Sequence, residues 1–585
     1  MMRVYLRLIQ LALAPLLLVL MTTSVRADWI EDSNRYALEI LKQQAQLSPE
    51  GVSNYGLSEF DAEVADLGPN ITQREIALAQ QQLSRLRAAL ESESAARVRQ
   101  DLQIMIDALE SEITTAQLEY EHLLPYYDMH GFMFGSFKSL LDPRNDAARY
   151  PAALERLRKY TGQSEGYQPA TEQAMALTEA RLKVDGLIGP YRGQLEADLD
   201  NAPRYIAGIR SVFESSGLTA WESDFAVLEE QLNQYEAWLR ATLEPRARDN
   251  NTLPEVLYAN ELQNFGVTDS PAELIAEAQY SYQLIRSQMK ALARQIAEKR
   301  GWKERDLLSV LHQLKAEQVP QEDLLALYKQ RLTVIEDIVR KEDLVSLPER
   351  DAVIRLATEA ESAAIPASFM SPPQLINNTG QYGEFVLVQS NPALGDDAQM
   401  DDWSHDSIVW ALTVHEARPG HELQFSRLVE DGTSLARAVF AFNSANAEGW
   451  GLYSESIMQQ YLPLEGQLFN LYTRLMRAAR MFLDPMVNTG QMSRQEAEDF
   501  LVEQTAMSRA MASSEADRYA FRAPGQATSY YFGYIRLMRL RTEVEIALGD
   551  QFEPRAFHDF ILQQGLLPPN LLREAVLAEF VQSAE

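Results

Sequence analysis

Two histidines and a glutamate stand close together in His415-Glu416-Ala417-Arg418-Pro419-Gly420-His421, in a chain with only seven histidines. A zinc hydrolase needs three protein ligands, an open position for water and a carboxylate able to take that water's proton. His415 and His421 can each supply a neutral imidazole nitrogen, and Glu416 lies beside the first of them. In the H-E-x-x-H arrangement the two histidines are four apart on one helical face. Here they are six apart. On an unbroken α-helix that spacing turns the chain by about 600° and leaves the side chains roughly 120° apart. Pro419 lacks a backbone donor and Gly420 tolerates unusual dihedrals, so the pair can bend the chain and return His421 toward His415. A kinked helix with ordinary polar residues is the competing reading of the same segment.

A third ligand has to come from another element. Glu448, in Ala447-Glu448-Gly449-Trp450-Gly451-Leu452-Tyr453-Ser454-Glu455, is far enough beyond His421 for one helix to end and another to return antiparallel. Glu455 follows nearly two helical turns later on roughly the same face. It is expected to accept an N–H from a ligand imidazole, which orients the ring and raises its basicity. Gly449 and Gly451 either allow this helix close to the metal-binding one or merely relieve crowding. Trp450 and Tyr453 read as packing residues.

The elements that must carry these groups are helices. Thr72 to about Leu123 has no Pro or Gly and repeats apolar residues at three and four positions: Ile76, Ala79, Leu83, Leu86, Leu90. Further helical stretches are predicted over Pro151 to Val184, broken near Gly162, and over Pro203 to Leu243, broken near Ser216-Gly217. Pro271 to Lys299 starts with Pro and stops before Gly301, as helices do. Leu307 to Val319, Gln321 to Val339 and Pro348 to Ala364 follow. Ser371-Pro372-Pro373-Gln374 then interrupts helix formation, and Gly383 to Val388 has strand character. A loop is expected from Asp396 to Asp402, with helices resuming at Ser407. The prediction is a mainly α protein with a small β element near the active-site cleft. A helical region over 28–370 and a metal-site region over 371–585 are expected to pack as one catalytic unit.

Composition narrows the function classes. The chain carries 53 basic and 84 acidic residues, a net charge of −31, which opposes nucleic-acid binding and broad contact with anionic lipid. Arg3 and Arg7 precede a largely apolar run from Leu8 to Met21, and Val25-Arg26-Ala27 offers a cleavage site, so residues 1–27 read as a signal peptide. The run is shorter than the ~20 residues that span a bilayer, and no membrane span is expected after its removal. There is no Cys. Thiolate ligands, disulfides and lipid attachment through Cys are therefore excluded, and the combination fits a bacterial periplasm or secretion into the medium.

The segments around these residues resemble those of a bacterial family known as domain of unknown function 885, grouped with gluzincin-type metallopeptidases. The resemblance rests on Leu412 to Gln424, on Glu448-Gly449-Trp450 with Tyr453 and Glu455, on Glu515 to Tyr519, and on Pro524 to Gly533. It continues through Leu548 to Phe552, Phe557 to Leu562 and Gly565 to Pro568. It covers mainly residues 370–585. What it implies is a large multi-helix, metallopeptidase-like fold in which His415, His421 and Glu448 hold one Zn2+ ion. Glu416 would then activate the metal-bound water for attack on a peptide bond. Tyr530 and His558 are candidate donors to the developing negative charge, although His558 between Phe557 and Phe560 also reads as a core histidine. Gln526 and Arg541 could bind a peptide substrate's backbone or terminal carboxylate, and Arg541 could equally tether a helix. Two departures stand out: Glu422 replaces a frequent His, and Asp484-Pro485-Met486-Val487-Asn488 replaces an Asp-Thr-Gly-Leu-His segment. The alternatives to a peptidase are a catalytically degenerate periplasmic metalloprotein that binds peptides, or a hydrolase of a non-peptide amide or ester.

Overall fold

Residues 29–365, 367–389 and 401–582 are described by the computed structural model. The expected signal peptide and all of the 396–402 loop except Asp401 and Asp402 lie outside them. The chain is mainly helical, as its periodicity predicts.

Side-chain chemistry decides where helices stop. The stretch expected as one helix from Thr72 is a pair, α1 (Ile71–Ser92) and α2 (Ala96–His122). Glu93 makes the break without Pro or Gly. Its carboxylate accepts from the backbone N–H groups of Ser94 and Ala95 at 2.7 and 2.8 Å. Arg99 donates to the carbonyls of Leu90 and Glu93 at 2.6 and 2.9 Å. These local bonds compete with the helical ladder and win. Helix α3 (Pro271–Arg300) opens on a capping box of Ser270 with Glu273 and closes at Gly301, φ 70°. Helix α4 (Gln321–Lys341) follows.

Pro348 to Ala364 is not the helix that was expected. It contains strand β1 (Val353–Leu356) and then a six-residue helix, Glu359–Ala364. The strands β2 (Phe369–Ser371) and β3 (Glu384–Leu387) complete a sheet of order β1-β3-β2, with β1 parallel and β2 antiparallel to β3. The branched side chains of Val353 and Ile354 suit a strand, and a partner distant in sequence makes it possible.

Helix 29–44 packs with α1 and α2 around Ile40, Leu83 and Leu102. Helices Met129–Leu140, Arg192–Ser216 and Glu222–Thr242 enclose a second cluster around Phe137, Phe213 and Leu228. A larger core runs from α3 and α4 into the C-terminal helices, so residue 370 does not separate two apolar cores. These are α5 (Asp406–Leu412), α6 (His421–Arg427), α7 (Ser444–Met458), α8 (Leu464–Asn488) and α9 (Gln526–Leu548). Helix α8 packs on α3, and α7 on α9. Every residue of α8 from Leu468 to Pro485 is buried. Among the described residues no helix is long and apolar enough to cross a membrane.

Candidate metal centre

Helix α5 does not simply continue through the two histidines. It widens into a π-turn over Thr413–Ala417, Arg418 is extended (φ −125°, ψ 139°), the Arg418-Pro419 peptide is cis, and α6 restarts at His421. The His415 and His421 rings then meet with centroids 4.7 Å apart and planes at 85°. Gly420 is required by close approach: a Cβ there would lie 1.9 Å from the His415 carbonyl oxygen and 2.3 Å from that of Val414.

Buried polar bonds hold the turn. Arg418 donates through Nε to Glu422 and through Nη1 to Glu336 on α4, both at 2.6 Å, and also to the Arg350 carbonyl at 3.0 Å. Glu422 accepts from Arg350 Nη1 at 2.6 Å. The indole N–H of Trp450 donates to the Pro419 carbonyl at 3.0 Å. Glu422 is thus the hub of an ionic clamp.

His415, His421 and Glu448 each bring one ligand atom to within 4.8 Å of the others. Glu448 Oε2 is 3.2 Å from His421 Nε2 and 3.5 Å from His415 Nε2. A tetrahedral zinc shell, with ligand bonds of about 2.0–2.1 Å, sets neighbouring donors about 3.3 Å apart. Both the spacing and the donor set of two imidazoles and a carboxylate fit a borderline divalent ion. His415 Nδ1 donates to Glu455 Oε1 at 2.8 Å, which turns Nε2 toward the group. The other Glu455 oxygen accepts from the Thr473 hydroxyl at 2.5 Å. Gln424 Oε1 lies 3.4 Å from His421 Nδ1, its amide fixed by donation to Asn446 at 3.0 Å. Gly451 makes room for the His415 ring, since a Cβ there would sit 2.5 Å from His415 Cε1.

The charges are tightly coupled. Burial pulls the His415 pKa down, but hydrogen bonds to Glu448 and Glu455 and the charge of Glu416 raise it to about 9. Burial pushes the Glu448 and Glu455 carboxyls up, and their imidazole partners hold both below the usual range. Protons and metal ions therefore compete for the same nitrogens. Glu416 is buried and its carboxyl is pushed up by that burial, against the pull of His415 and His421.

Tyr530 lies at this group, its ring stacked on His415 with centroids 6.4 Å apart and planes at 13°. Its hydroxyl accepts from Arg518 Nη2 at 2.7 Å, and the same guanidinium donates to Gln526 Oε1. Gln526 in turn donates to Ser444 at the start of α7 at 2.9 Å. His558 and Arg541 are not brought to the ligands. His558 Nδ1 donates to the Leu344 carbonyl at 2.6 Å and Nε2 accepts from the Tyr453 hydroxyl at 2.7 Å, so both nitrogens are engaged. Burial lowers its pKa to about 4, which keeps the ring neutral. Arg541 donates to Glu545 at 2.7 Å and to Tyr453 at 3.1 Å. Tyr453 is five residues from Glu448, about 140° around α7, so these bonds lie on another face of that helix.

Three arginines stand beside Tyr530: Arg477, which sequence reasoning missed, Arg480, on the helix before the Asp484 departure, and Arg518, inside the family-like Glu515 to Tyr519 segment but given no role there. Arg480, Arg518 and Arg477 place their guanidinium carbons 4.6, 5.1 and 5.8 Å from its ring centroid. A signal for two of them exists: Arg477 and Arg480 sit on a segment apolar on every other side, Leu475-Met476 and Ala478-Ala479 with Met481-Phe482, so the helix must be buried and they with it.

Fold and site together define a mainly helical protein with a buried His-His-Glu group that could hold a metal ion. The chain matches the family model described as bacterial protein of unknown function (DUF885) over residues 49–576, and it belongs to that family. Among curated proteins none matches. Two solved structures share the fold. One is a candidate lipoprotein from Colwellia psychrerythraea, 18% identical, covering 95% of this chain and 99% of its own, with TM-score 0.76. The other, a candidate lipoprotein of unknown function from Shewanella oneidensis, is 19% identical, covers 93% and 99%, and has TM-score 0.71.

Proposed function

We propose that this chain is an exported, zinc-dependent hydrolase of peptide bonds. The observation that carries the reading is the convergence of His415, His421 and Glu448 beside Glu416, with the far nitrogen of His415 locked by Glu455. A zinc ion held by the three ligands would supply Lewis acidity, polarising a carbonyl and making water acidic enough to lose a proton near neutral pH. Glu416, adjacent to a ligand and raised in pKa by burial, takes the proton of the attacking water and delivers it to the leaving amine. Tyr530 is the group suited to donate to the carbonyl oxygen as negative charge develops, its hydroxyl held by Arg518. Gln526 accepts from the same Arg518 nitrogen and helps to fix it. His558 contributes to packing rather than to this chemistry. Export is part of the proposal and rests on the charged and then apolar N-terminal segment.

The decisive experiment is metal analysis of the purified protein with peptide hydrolysis by Glu416→Gln. One zinc per chain, retained by the variant while turnover falls roughly 100- to 10,000-fold, is expected, since the variant removes the base but no ligand. Full activity in Glu416→Gln rules the mechanism out.

A further inference from the structure

Arg477 and Arg480 are each only 4% exposed, yet their hydrogen-bonding capacity is not filled. Arg480 donates Nε and Nη2 to Glu515 at 2.7 and 2.6 Å, which leaves Nη1 buried without a partner. Among the described residues Arg477 makes a 3.4 Å contact from Nη1 to the Thr473 carbonyl, and its Nε is buried without a partner. Buried guanidinium donors are seldom left unpaired, because burial removes their water without replacing it. Arg518 completes the cluster, one nitrogen bound to Gln526 and the Tyr530 hydroxyl and another 3.8 Å from the Glu515 carboxylate that Arg480 holds.

The cluster borders the ligand group. Tyr530 is stacked on His415 on one hand and surrounded by the three guanidiniums on the other. Arg477 acts electrostatically on Glu416 and Glu455, and Arg518 on Glu448. In charge, Arg477, Arg480 and Arg518 oppose Glu416, Glu448, Glu455 and Glu515; a divalent ion on the ligands would tip that balance to positive. A planar, forked guanidinium suits a carboxylate better than any other common peptide group.

We infer that Arg477, Arg480 and Arg518 receive a carboxylate of the substrate beside the scissile bond. This deepens the peptidase reading and rests on it. The carboxylate can be the free C-terminus of a peptide or an acidic side chain.

The test uses the zinc-loaded full chain and matched peptides: one with a free C-terminus, its C-terminal amide, and the amide with an internal Gln replaced by Glu. kcat/KM is measured for the three, and Kd for the same peptides with Glu416→Gln by calorimetry. A preference of at least tenfold for a carboxylate-bearing peptide is expected in both, and it falls toward one in Arg477→Gln and partly recovers in Arg477→Lys. A preference for the free C-terminus assigns the α-carboxylate; one for internal Glu assigns a side chain. The wild-type comparison needs no variant, so it stands even where Arg477→Gln fails to fold. Turnover with no discrimination between acid and amide overturns the carboxylate site and leaves the peptidase reading intact. Discriminating binding without turnover does the reverse, and neither binding nor turnover overturns both.

Discussion

His415 has two neighbours on opposite sides of one ring, Glu455 at Nδ1 and Glu448 toward Nε2, and the two do different work. Glu455 is fully buried and fixes the tautomer, so its effect on a metal is exerted through the imidazole. Replacing it with Gln keeps the shape and removes the charge. Metal affinity measured by chelator competition is expected to drop roughly 10- to 100-fold with little change in folding. An unchanged affinity would show that the ring needs no such partner. At this scale much was legible, because His415, Glu416, His421 and Glu448 belong to two short motifs whose internal spacing already says what they can do. Tyr530 came from a resemblance. Arg518 lies in a segment of the same resemblance, but no role could be read for it, and Arg477 and Arg480 belong to no motif with the ligands; all three meet them only through packing.

Among the elements, the turn between α5 and α6 matters most. Gly420 and Pro419 announce a bend, but the direction of the bend is set by Arg418, Glu422, Glu336 and Arg350, which come from the turn itself, the start of α6, α4 and the segment before β1. Removing one member of a buried ionic network leaves its partners charged and unpaired, at about 3–5 kcal/mol. Glu422→Ala is therefore expected to lower stability by that amount in urea denaturation and to weaken metal retention with it. A loss below about 1 kcal/mol would put the clamp among ordinary surface pairs. The strand β1 teaches the converse. Pro348 to Ala364 has a composition compatible with helix, and only pairing with β3, some thirty residues on, makes Val353 to Leu356 extended.

For the molecule as a whole, acid is the predicted weakness. Burial and the charge of Lys315 push the His405 pKa down to about 3, and burial pushes that of His558 down to about 4. An unfolded chain's histidines titrate near 6.5. With depressed native values, the stabilisation is complete above about pH 6.5 and is lost as the pH falls toward about 4, where only the unfolded chain takes up protons. At about 1.4 kcal/mol per unit this is roughly 5 kcal/mol for His405, whose loss continues to about pH 3, and roughly 3 to 4 kcal/mol for His558. Urea midpoints should fall between pH 7 and pH 4.5, and less steeply in His558→Gln. A midpoint that does not move over this range would contradict the buried neutral state. Taken alone, the sequence determined the helical class, the acidic character and the short motifs of the ligand group, because periodicity, charge and local spacing are properties of neighbouring residues. Only the tertiary structure decided that His558 and Arg541 bond on another face of α7 and that three arginines stand behind Tyr530, because which faces of α7, α8 and α9 meet depends on packing between segments that no local rule connects.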